Sequence, residues 1–202
     1  MLDFSKNMNL YQPTISKEEL SLIEVRGFEG EITVIDTKAK EREAIAYLNE
    51  CSILGFDTET KPSFKRGTRN SVALLQLSDG QRAFLFQLKK IGLSNELKMI
   101  LSSQKIIKVG AAVTDDIRGL ARLNGFIPAG FIELQTYVKK FGIEEMSLMK
   151  LSAIILKFKI SKSQRLSNWE LPTLTESQQR YAATDAWVGC KIYEALQAEW
   201  NK

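Results

Sequence analysis

Histidine is absent from this 202-residue chain. Its absence excludes the Ser-His-Asp and Cys-His nucleophilic arrangements, every histidine-ligated zinc site and any imidazole general base. Cysteine is nearly absent too. Cys51 and Cys190 are too few, and too far apart in sequence, for a disulfide framework or a zinc ribbon. No apolar run approaches the roughly 18 residues that would span a bilayer, and residues 1–14 lack the apolar core of a secretory signal. These absences predict a reduced, cytoplasmic protein with no membrane segment. An enzyme built from such a chain would run its chemistry on carboxylates, tyrosine or lysine.

What is present is ordinary in amount and uneven in placement. Hydrophobic residues make up 44% of the chain and charged residues 26%, with a net charge of +4. That composition and length fit one globular domain, alone or with a short extension. Lys61, Lys65, Arg66 and Arg69 cluster with no acid among them. Residues 138–165 carry seven basic side chains, Lys162 and Arg165 included, against two acidic ones. Such basic loops are either a solvated surface or the footprint of a polyanion such as nucleic acid.

Ser16 with Glu19 forms a capping box that predicts a short helix from residue 17, followed by a strand over 31–35. Asp36 is expected to cap a helix whose apolar positions are Ala44, Ile45, Leu48 and Cys51. A buried strand over 53–58 precedes two strand-like runs, 71–78 and 81–86, joined through Asp79-Gly80 as a hairpin. A helix at 95–102, one capped at Thr114 and ending at Gly125, and others at 136–141 and 148–158 then alternate with strands at 106–109 and 131–134. Thr175 with Gln178 is a second capping box, opening a long helix over 176–200. The chain is expected to be an α/β fold: a mixed five-stranded sheet, antiparallel meander plus parallel strands, flanked by helices. Residues 1–30 would be an N-terminal extension, and 31–202 the functional domain.

Several carboxylates stand where this pattern wants apolar residues. Period two in the strand 53–58 puts Asp57 and Glu59 on one face, with Thr58 opposite. Two like charges so placed repel unless a cation lies between them. In the long helix the inward stripe runs Tyr181, Asp185, Val188, Ile192, Ala195 and Leu196, so Asp185 lies inside an apolar face. A buried, unpaired carboxylate costs several kcal/mol or protonates. Either a distant Arg or Lys reaches it, or it joins other acids around a metal. Asp115 and Asp116 open a helix, which the helix dipole alone explains, yet Asp116 shares a stripe with Val113 and Leu120 and is expected to face inward. Oxygen-only ligands favour Mg²⁺ or Mn²⁺ over zinc. Tyr181 is one helical turn before Asp185, on the same face, either as a core tyrosine or as a group whose hydroxyl reaches an attacking water.

Phe56-Asp57-Thr58-Glu59, Val109-Gly110 with Asp116 six residues beyond the glycine, and Tyr181-Ala182-Ala183-Thr184-Asp185 resemble the three motifs of the DEDD superfamily of 3′-5′ exonucleases. The tyrosine in the third motif resembles the tyrosine branch, and the chain is most similar to Werner-type and ribonuclease-D-type exonuclease domains. Residues 71–77 (SVALLQL) and Ser167-Asn168-Trp169 resemble further blocks of those domains. Ala112 departs from the proofreading branch, which typically has Asn there. The resemblance implies a ribonuclease H-like fold, two divalent cations, and 3′-to-5′ hydrolysis of DNA or RNA from single-stranded 3′ ends to nucleoside 5′-monophosphates. It implies that Asp57 bridges the two ions, Glu59 and Asp185 hold one, Asp116 supports the other through water, and Tyr181 orients the attacking water. Lys61, Lys65, Arg66, Arg69, Lys162 and Arg165 are candidate phosphate contacts. Trp169 either stacks on a base or, the reading preferred here, packs its loop on the body. No helicase, polymerase or other partner domain is expected in the chain.

Two other readings compete. A catalytically silent nucleic-acid module would keep the fold, but all five motif positions hold residues able to do the chemistry. Val109-Gly110-Ala111-Ala112 sits as a cofactor-binding turn would, without the G-x-G-x-x-G spacing and after an antiparallel meander.

Overall fold

In a computed structural model of the chain, residues 10–63 and 70–201 are described. They form a six-stranded mixed sheet flanked by helices. The strands are β1 (Glu31–Ile35), β2 (Ile53–Thr60), β3 (Val72–Ser78), β4 (Arg82–Gln87), β5 (Ile107–Gly110) and β6 (Phe131–Glu133), in the spatial order β1-β4-β3-β2-β5-β6. β2, β3 and β4 are the antiparallel meander; β1 pairs parallel with β4, and β5 and β6 continue parallel from β2. Each of the six strand-like runs read above joins one sheet, which corrects the expected five-stranded sheet to six, since the strand 31–35 ahead of the meander pairs with β4 as well.

Helices α1 (Lys17–Leu22), α2 (Lys38–Leu48), α3 (Leu88–Ile91), α4 (Asn95–Leu101), α5 (Val113–Leu123), α6 (Leu134–Tyr137), α7 (Leu148–Leu156) and α8 (Glu176–Trp200) fill the two faces, with a 3-10 turn at Val138–Phe141. Both capping boxes form, at Ser16–Glu19 and Thr175–Gln178. Two expected caps are corrected. Thr37 rather than Asp36 caps α2, because Asp36 pairs with Lys40 at 2.8 Å while Thr37 accepts the Lys40 N–H. α5 begins one residue before Thr114, behind Ala112.

One sheet face packs Leu54, Phe56, Leu75, Leu77, Phe84 and Phe86 against α2, α4 and α5. The opposite face carries α8, which reaches across β1 to β5. Its middle is buried almost all round, residues 182–186 and 188–190, because Phe28 and Trp169 pack with Ala182 and Ala183 and α7 packs with Val188 and the turns after it. This is more than the single inward stripe the sequence pattern predicts. Close contact with β2 requires Gly55: a Cβ there would lie 1.8 Å from the Ala186 carbonyl oxygen. Trp169 packs in the core with Leu74, Ala182 and Ala183, only 1% exposed, its ring 6.0 Å from that of Tyr181. The loop-packing role preferred above is where the structure puts it.

Candidate active site

β2 leaves the sheet centre with Phe56 and Thr58 on one face and Asp57 and Glu59 on the other, where α8 crosses. α8 presents Asp185 to that same end of β2. The result is a group of three carboxylates, Asp57, Glu59 and Asp185, with one oxygen from each lying within 4.8 Å of the others. Among the described residues none of the three joins an ion pair. Asp116 approaches from α5 on the other sheet face and stands just outside this group. Its Oδ1 accepts the Thr58 hydroxyl at 2.5 Å. The adjacent Asp115 is exposed and paired with Arg118 at 3.2 Å, so the two neighbouring acids face different surroundings.

The electrostatics are those of acids gathered with no ion-pair partner among the described residues; Lys162 acts on Asp185 only from a distance. Burial, and then the charges of Asp185, Asp116 and Glu59, push the Asp57 carboxyl well above the usual carboxylate range. Burial first and then Asp185 and Asp116 raise Glu59 to about 9. Asp185 is raised to about 7 by burial, against opposing contributions from the Tyr181 hydroxyl and the charge of Lys162. Asp116 is raised to about 6, again by burial first, with the Thr58 hydrogen bond pulling the other way. Burial and the neighbouring Asp185 and Glu59 push the Tyr181 phenol upward from its ordinary value, so it keeps its proton at neutral pH.

Such a group fits divalent cations. One buried and two half-buried carboxylates converging on one spot, with no Lys or Arg bonded to them among the described residues, are stable as anions only if positive charge is supplied. The all-oxygen donor set is the one hard cations take.

The basic candidates are less concentrated. Lys61, exposed at the end of β2, lies 3.7 Å from Glu170, which also holds Lys89. Lys162 and Arg165 are exposed in the loop before Trp169, and Lys162 is near enough to Asp185 to influence it. Lys65, Arg66 and Arg69 lie outside the described residues. A cleft of about 390 Å³ beside Asp116 is lined by Thr58, Thr60, Lys61, Asn70 and Arg122, among others. A larger cavity of about 590 Å³, bordered by Arg26, Phe28, Gly80 and Trp187, is lined by none of the four acids.

Sequence reasoning did not single out Thr58, Arg122 or Glu133. Thr58 is flanked by the two acids, which is a weak local signal. The acid it serves is 58 residues away.

The sequence family whose model describes a 3′-5′ exonuclease matches residues 32–201. This chain belongs to that 3′-5′ exonuclease family. The bifunctional 3′-5′ exonuclease/ATP-dependent helicase WRN of Mus musculus is 35% identical to it over 155 residues, covering 74% of this chain and 11% of the mouse protein. The chain thus spans about a tenth of that relative's length. Among solved structures, the Nibbler EXO domain of Aedes aegypti superposes with a TM-score of 0.74 at 24% identity, covering 88% of this chain and 92% of that one. Trypanosoma brucei RNase D in complex with RNA U12 gives 0.74 at 18% identity, over 83% of this chain and 63% of that one. These neighbours establish the ribonuclease H-like exonuclease fold expected above. Among the described residues, no helix is long and apolar enough to cross a membrane.

Proposed function

We propose that this chain removes nucleotides from the 3′ end of DNA or RNA, hydrolysing phosphodiester bonds to nucleoside 5′-monophosphates with two divalent cations, Mg²⁺ or Mn²⁺. Residues 31–202 are read as the exonuclease domain and 1–30 as its extension. The observation that carries the reading is the convergence of Asp57, Glu59 and Asp185 with no cationic side chain among the described residues bonded to them. Asp57, central in the charge network, would hold both cations. Glu59 and Asp185 would share one, and Asp116, held by Thr58, would support the other. When bound, the cations supply Lewis acidity toward the phosphate and the attacking water.

The chain's own residues do the rest. Tyr181 lies beside Asp185 with its phenol protonated, so it can orient a water by hydrogen bonding and is a poor acceptor of that water's proton. The cleft beside Asp116 has room for a terminal nucleotide, with Lys61 and Arg122 at its wall. Lys162 and Arg165 on the other side, and Lys65, Arg66 and Arg69, which follow β2 in the sequence, would contact phosphates and set register without reading sequence.

The test uses matched 5′-labelled DNA and RNA strands with Mg²⁺, Mn²⁺ or chelator. A ladder shortening from the 3′ end only when metal is present is expected. Full activity after rigorous chelation, or shortening from the 5′ end, would refute the reading.

A further inference from the structure

Asp116 reaches the site on a helix that does not cap itself. The residue before α5, Ala112, has φ 61° and ψ 31°, and its methyl side chain offers no acceptor. The first backbone N–H groups of any helix lack intrahelical partners. In α2, α4 and α8 a Thr or Ser at the cap position accepts one of them: Thr37, Ser94 and Thr175.

For α5 the acceptor comes from another element. Glu133, the last residue of β6, accepts the Ala112 N–H at Oε1 (2.9 Å) and the Val113 N–H at Oε2 (2.8 Å). Oε1 also accepts the Gln135 N–H at 3.1 Å, so one carboxylate caps the starts of both α5 and α6. β6 is itself registered on β5, with Glu133 opposite Gly110. The carboxylate therefore ties two adjacent strand ends to the helix start, and a negative charge is favoured at that place by the helix dipole. Four positions into α5, Asp116 meets Thr58 of β2, while Asp115 turns outward to Arg118.

We propose that Glu133 is a positioning residue of this exonuclease site: it fixes the start of α5 so that Asp116 is delivered to Thr58 and to the cations held by Asp57. This rests on the reading above that the four acids hold divalent cations. Glu133 need touch neither cation nor substrate to act. Groups that hold a metal ligand in place commonly change metal affinity by about 10- to 100-fold when substituted.

The experiment titrates Mn²⁺ by calorimetry into the full chain, comparing wild type, Glu133→Ala, Glu133→Gln and Asp116→Ala, with thermal melting in chelator run in parallel. Glu133→Ala should bind at least one Mn²⁺ about tenfold more weakly. Glu133→Gln, which keeps one oxygen acceptor, should fall between it and wild type. Exonuclease turnover of Glu133→Ala should recover toward wild type at high Mn²⁺, whereas that of Asp116→Ala, which lacks the ligand itself, should not. Variants that melt lower in chelator yet bind Mn²⁺ as wild type does would overturn the proposal and leave Glu133 a helix cap only. If Glu133→Ala does not fold, Glu133→Gln decides by the same comparison. A wild-type chain that binds no Mn²⁺ would instead sink the metal reading, and this inference with it, a result visible before any variant is made.

Discussion

Thr58 shows how a single hydroxyl can set one acid apart from its neighbours, since that hydroxyl donates to Asp116 and to none of the other three. Its hydrogen bond to Asp116 joins α5 to the acid-bearing end of β2 through side chains. Thr58→Val keeps the branched shape and removes that donor, leaving a half-buried carboxylate without it. Catalytic efficiency should fall about tenfold, with the loss concentrated in metal affinity; equal Mn²⁺ titrations for both proteins would reject that role. Asp185 and Tyr181, one turn apart on α8, should separate cleanly. Asp185→Asn removes a buried charge, so it should lose metal binding and turnover together while its melting temperature in chelator holds or rises. Tyr181→Phe should bind metal and substrate normally and turn over on the order of 100-fold more slowly if the hydroxyl orients water. Single-turnover rates beside metal titrations tell these cases apart. The acids were legible in sequence because each interrupts an apolar period. Thr58 and Glu133 were not, because a hydroxyl next to acids and a glutamate ending a strand interrupt nothing.

At the scale of elements, what the sequence disclosed was what is local. The two capping boxes and the full span of α8 follow from residues within one helical turn of each other. The strand 31–35 could be read from its own residues, but its neighbour could not: β1 lies parallel to β4, with Glu31 meeting Arg82 across 51 positions. The cap of α5 escaped for the same reason, since its acceptor is on β6. The contact between α8 and β2 yields a sharp expectation. Gly55→Ala would set a methyl against the Ala186 carbonyl, and overpacking of that kind costs about 1–3 kcal/mol, occasionally more. Ala186 adjoins Asp185, so the variant should lose turnover as well as stability. Denaturant melts and metal titration of Gly55→Ala check both; a loss of stability with intact activity would mean that α8 slides without moving its acid.

Over the whole molecule, the gathered acids make stability depend on pH in a definite direction. Asp116 near 6, Asp185 near 7 and Glu59 near 9 all lie above their ordinary values, so the metal-free folded chain keeps protons that the unfolded chain releases. Stability should therefore fall as pH rises from about 5 to 8 in chelator, and saturating Mg²⁺ or Mn²⁺ should flatten the slope. Lys108, buried and pushed down to about 8, acts in the opposite sense only above that pH. Melting curves at several pH values, with and without metal, measure this; a rise in stability across that window in chelator would contradict it. α8 adds a consequence of another kind. It lies against β1 through β5, with Phe28 and Trp169 packed on its first half and α7 on its second, so the turn bearing Asp185 is expected to open only when those contacts part. Amide protons of residues 182–190 should then exchange with solvent only through global opening, at the slowest rates in the protein. Heat inactivation should coincide with melting, with no folded but inactive species before it.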